Sequence, residues 1–82
     1  MKLVMVTIRD IKIGLYQPPY AVVAIGAAAR AFQDACENEE RNTDIARHPQ
    51  DFELYKLGEY DQETGKFDLL PSPEFIMGGK NV

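Results

Sequence analysis

The chain has 82 residues, 45% of them hydrophobic and 27% charged, which fits one small globular domain and excludes a disordered chain. A formal net charge of −4 argues against a nucleic-acid binder that relies on overall positive charge, and a single cysteine, Cys36, excludes an internal disulfide or a cysteine-cluster metal site. No window reaches the ~18 uninterrupted apolar residues of a membrane span, and Arg9 and Asp10 interrupt the opening run too early for a signal-peptide core, so the expectation is a cytosolic protein with no membrane partner.

Lys2 to Ile8 is a β-branched and apolar run, with Val4, Val6 and Ile8 on one face and Leu3, Met5 and Thr7 on the other. Both faces are largely apolar, which suits a central strand covered on two sides. Ile11 to Tyr16 reads as a short edge strand or an ordered loop around Gly14. Gln17, Pro18, Pro19 and Tyr20 then form a rigid break, because proline fixes φ and cannot donate to a ladder, and the chain is expected to leave the sheet there.

From Val22 to about Glu37 the pattern is helical: Ile25, Ala29, Phe32 and Cys36 recur at spacings of four, three and four and stack on one face, with Phe32 as the main anchor. Residues 38–42 (NEERN) make a polar connector, and Thr43 caps a short helix over Asp44 to Arg47 that ends at His48 and Pro49. Phe52 to Leu70 follows as a hairpin, its reversal supplied by Asp61, Gln62, Glu63, Thr64 and Gly65. Pro71 and Pro73 break the second strand, Glu74 to Met77 form a turn of helix or an arm that pins Phe75 and Ile76 onto a neighbour, and Gly78 to Val82 fray.

The expectation is therefore one α+β domain over residues 1–82, loosely ordered from about 71. Its sheet has three to four strands, with one main helix (about 22–37) and a short second helix (about 43–47) packed on one face.

Enzymatic chemistry finds little support. His48 is the only histidine, and Cys36 sits on the apolar face of the helix, where a thiol packs as a small hydrophobe. Glu37, Glu39 and Glu40 belong to a solvated charge run, and no zinc, calcium or phosphate-loop spacing is present, so neither a cofactor nor a metal is expected.

A binding surface remains. Residues 1–30 hold four bases against one acid, and the rest hold five against twelve. Within the basic part, Arg9, Lys12, Tyr16 and Tyr20 fall in twelve residues, and Tyr55 and Lys56 extend the set from the hairpin. Such a mixture suits single-stranded nucleic acid, because unpaired bases stack on rings while cations neutralise the backbone. The same residues also fit a structural role, with tyrosines plugging the core and Arg9 paired to Asp10 or another carboxylate.

The opening MKL…IRD, Lys12, YQPPY at 16–20, ARAF in the helix and HPQDFELYKLGEYDQETGKF at 48–67 together resemble the small nonstructural protein of gokushoviruses, microviruses with single-stranded DNA genomes. The likeness spans residues 1 to about 70, with residues 21–28 more apolar than in that family. It implies a phage protein made in the bacterial host cytoplasm that binds single-stranded DNA, and the residue reading adds self-association through an apolar sheet face, as a homodimer or larger oligomer. Such a protein assists the switch from duplex replication to single-strand production and packaging. The alternative is an adaptor that docks on a viral or host replication or capsid protein without touching DNA, its acidic face (Glu37, Glu39, Glu40, Asp51, Glu53) steering a basic partner.

Overall fold

Strand β1 (Lys2–Asp10) runs through the middle of the molecule because its alternating sets are both apolar, and every other strand is laid out from it. The computed structural model describes residues 1–38, 40 and 43–79. The connector positions Glu39, Arg41 and Asn42 and the last three residues of the tail lie outside them.

After β1 the chain turns at Gly14, whose φ of +71° suits a residue without Cβ, and returns as β2 (Leu15–Tyr16), antiparallel to Arg9 and Asp10. Pro18 and Pro19 interrupt the ladder, but the chain stays on the sheet. It re-pairs as β3 (Tyr20–Val22) against Val4 to Val6. Gln17 holds the gap closed, its N–H donating to the Ile8 carbonyl at 2.8 Å and its carbonyl accepting from the buried Thr7 hydroxyl at 2.6 Å. β2 and β3 thus form one edge split by prolines, which an edge tolerates because its outward N–H groups need no partner.

Helix α1 (Ile25–Glu37) buries Ala28, Phe32 and Cys36, the stripe its period requires. Phe32 is 1% exposed, and complete burial of such a ring contributes ~1.5–3 kcal/mol. α2 (Asp44–Arg47) starts where Thr43 Oγ1 accepts from the Ala46 N–H at 3.2 Å, and a single 3-10 turn (Pro49–Asp51) leads into the hairpin. The core is a sandwich of Val6, Ile8, Phe52 and Leu54 from the sheet with Ala28, Phe32 and Cys36 from α1, and Ile45 of α2 packs against it from the same side.

The hairpin pairs β4 (Phe52–Asp61) with β5 (Lys66–Gly78), closed by Gly65 at φ +74° with its N–H on the Asp61 carbonyl. β5 corrects the sequence reading. It continues through Pro71 and Pro73, and Phe75 and Ile76 belong to strand rather than to a turn of helix or an arm. The prolines fall where the register slips, between the pairs Lys56↔Glu74 and Gly58↔Leu69, and β5 is itself an edge.

The expected three- to four-stranded sheet is therefore overturned. Five antiparallel strands, 49% of the described residues, curl into a half-barrel in the order β2-β1-β4-β5 with β3 beside β2 on β1. Register shifts at Met5/Val6, Leu54/Tyr55 and Lys56/Gly58 supply the bend, since each bulge sharpens the local twist. The helices cover one face of this sheet, as an α+β arrangement requires, and among the described residues no helix covers the other.

Candidate nucleic-acid interface

Paired residues in an antiparallel ladder share a face, so the register sorts the candidate residues. Val6 and Ile8 face the helices, which places Thr7 and Arg9 on the outer face. Arg9 pairs with Tyr16 on β2 and Glu53 on β4, and Thr7 pairs with Tyr55, which in turn pairs with Phe75 on β5. These are two adjacent cross-strand rows on the outer face, and the rings of Tyr16, Tyr55 and Phe75 join them into one aromatic row running diagonally over the strands.

The row is in contact along its length. The Tyr16 and Tyr55 rings meet edge-on at 5.4 Å between centroids, and Tyr55 and Phe75 do the same at 5.8 Å. The Arg9 guanidinium lies 5.5 Å from the Tyr16 ring centroid, within cation–π range. Tyr16 and Phe75 are 45% and 54% exposed, enough for a flat ligand to reach them, while Tyr55 between them is half-buried. Its hydroxyl donates to Glu53 Oε1 at 2.8 Å. That hydrogen bond, followed by burial and by the carboxylate's charge, raises the Tyr55 pKa above the ordinary tyrosine value. Arg9 forms no ion pair within 4.0 Å among the described residues, and its Nε is buried without a hydrogen-bond partner.

The other sequence candidates are placed differently. Lys12 is exposed in the turn after β1, its N–H donating to Asp10 Oδ1 at 3.0 Å, next to the end of the row. Tyr20 pairs with Val6, as Lys56 does from the other side, so both belong to the helix-side face, away from Tyr16. Burial raises the pKa of the Tyr20 hydroxyl, and the ring is 39% exposed. Phe75 is the member of the row that sequence reasoning missed. A strand assignment for Glu74 to Met77 would have put it on the sheet, but regular counting from Asp61↔Lys66 sets Ser72 opposite Tyr55, and only the register shifts bring Phe75 there.

Beyond the row the outer face is apolar. Met5, Pro19, Leu57, Phe67 and Leu69 line a shallow groove of ≈ 240 Å³, and Tyr60 and Phe67 pack at 5.0 Å. A second hollow of ≈ 300 Å³ lies between α1 and the end of β5, lined by Phe32, Gln33, Cys36, Glu37, Met77 and Gly78. Cys36 is buried in the core and His48 is exposed at the end of α2. No described helix is long and apolar enough to cross a membrane.

A curled antiparallel sheet with helices on one face and an open aromatic face on the other defines a small helix-backed β-sheet protein. Residues 3–82 match the family described as Phage ORF5 protein, and the chain belongs to that family: it is a phage protein. No curated protein and no solved structure matches it.

Proposed function

We propose that this phage protein binds single-stranded DNA with broad sequence tolerance, laying unpaired bases across the outer face of its sheet. The carrying observation is the row Tyr16, Tyr55 and Phe75 with Arg9 stacked at one end. Rings spaced across adjacent strands accept successive bases because every base has a π-face, at ~1–3 kcal/mol per base. Arg9 and Lys12 at the same end neutralise phosphates locally in a chain that is acidic overall. The likeness to gokushovirus nonstructural proteins supports a role in the host cytoplasm, in the passage from duplex replication to single-strand production and packaging. Two copies acting together would double the contact surface and raise avidity without new contacts per subunit.

The test is a titration of labelled oligothymidine, read by anisotropy, with Tyr16→Ala, Phe75→Ala and Arg9→Ala beside the parent. Each substitution is expected to weaken binding while the thermal midpoint changes little. Absence of binding by the folded parent protein overturns the proposal. Variants that unfold would instead mark the row as structural.

The apolar groove of Met5, Pro19, Leu57, Phe67 and Leu69 favours a second reading, an adaptor for a viral or host replication or capsid protein. Pull-down from infected cells after nuclease treatment separates the two, since partners bridged by DNA are lost and direct ones persist.

A further inference from the structure

The row carries one feature that stacking does not use. Arg9 and Glu53 stand directly opposite each other on neighbouring strands, yet no ion pair joins them within 4.0 Å among the described residues. The guanidinium instead lies by the Tyr16 ring and reaches toward the Tyr55 hydroxyl, while its Nε is buried without a hydrogen-bond partner. Glu53 accepts the Tyr55 hydroxyl on Oε1, and among the described residues nothing donates to its other oxygen. A fork of donors and a carboxylate acceptor therefore lie side by side next to the exposed Tyr16 ring. Neither satisfies the other.

We infer that Arg9 and Glu53 form a base-reading subsite selective for guanine, an inference that rests on the single-stranded DNA reading above; at a guanine the Arg9 guanidinium turns from the backbone phosphate, which it neutralises on oligothymidine, to the base. A base stacked on the Tyr16–Tyr55 end of the row turns its polar edge toward this pair. Guanine matches it best: O6 and N7 accept from the guanidinium fork, and the adjacent N1–H and 2-amino group donate to the carboxylate. Thymine offers a single N–H between two carbonyls, so a carboxylate meets acceptors on either side of its one donor. Cytosine and adenine each present one exocyclic amine to Glu53 and lack the second, adjacent donor. The larger purine also covers more of the ring surface. Tyr55 holds Glu53 in place through its hydroxyl and acts as a positioning residue.

The experiment compares oligothymidine with the same oligonucleotide carrying one central dG, deoxyinosine, dA or dC, using the intact protein. The dG oligonucleotide is expected to bind about tenfold tighter than oligothymidine, the scale of one good bidentate contact. Deoxyinosine keeps O6, N7 and N1–H but lacks the 2-amino group, and is expected to fall between them. The ratio of dG to dT affinity is expected to shrink in Glu53→Gln, which keeps an acceptor for Tyr55, and in Arg9→Lys, which removes the fork. Using the ratio within each protein separates recognition from any general change in affinity or folding. Oligothymidine binding with no preference for dG, or a preference for another base, overturns the guanine subsite alone. Failure to bind any of the oligonucleotides overturns the DNA reading beneath it.

Discussion

Tyr55 shows how one side chain ties the outer face of the sheet together. Its ring touches Tyr16 and Phe75, while its hydroxyl reaches Glu53. Ionising that hydroxyl would break the hydrogen bond and set a phenolate beside a carboxylate, which is why its pKa lies above the ordinary value of 10.0. The sign follows from linkage: with the folded value raised, the stabilisation is fully present below pH 10.0 and is lost as pH rises through the folded value. Phenolate absorbance during an alkaline titration, taken as the difference between the parent and Tyr55→Phe, is expected to show Tyr55 ionising later than a free tyrosine. Glu53→Ala should bring it back down by removing both the acceptor and the charge. An unchanged Tyr55 titration in that variant would mean that burial and the neighbouring Tyr16, not Glu53, set the shift.

At the scale of elements, Gly58 is where the hairpin allows least change. It lies at the register shift between β4 and β5, with φ +152°. A Cβ there would fall 2.7 Å from Leu69 Cα and closer still to the Asp68 carbonyl oxygen, both rigid backbone. Gly58→Ala is expected to cost roughly 2–4 kcal/mol, read as a lower denaturant midpoint. Gly26→Ala, in the first turn of α1 with nothing within 4 Å of the new methyl, should instead stabilise by ~0.4–1 kcal/mol.

The two sites also mark what was legible in the sequence. The 3.6-residue period of Ile25, Ala29, Phe32 and Cys36, the Thr43 cap and the Gly65 turn are local signals, and each element formed where its signal lies. β3 and the far half of β5 depend on non-local pairing, which overrides the local effect of Pro18, Pro19, Pro71 and Pro73 because these strands are edges. The candidate site divided for the same reason. Tyr16 and Tyr20 are four residues apart, and strand alternation across a proline break cannot be counted from sequence alone. Only pairing to Arg9 and to Val6 reveals that they belong to opposite faces.

For the whole molecule, the acidic balance determines how a nucleic acid can be held. With a net charge of −4, long-range attraction to a polyanion is unfavourable; among the described residues Arg9 lies on the aromatic row, and Lys12 sits in the turn just after its strand. If those two cations make the phosphate contacts, the logarithm of affinity should fall with the logarithm of salt with a slope of about −1.4 for a single strand. Binding that rests on three rings at ~1–3 kcal/mol each is therefore expected to survive moderate salt that strips a basic-patch binder from DNA. Arg9→Ala should flatten the slope by about 0.7, and Phe75→Ala should lower affinity at every salt concentration without altering it. A parent slope of about −3 or steeper would assign the contacts to more than four cations. The DNA path would then run over Arg30, Arg47 or Lys66 instead of the sheet face.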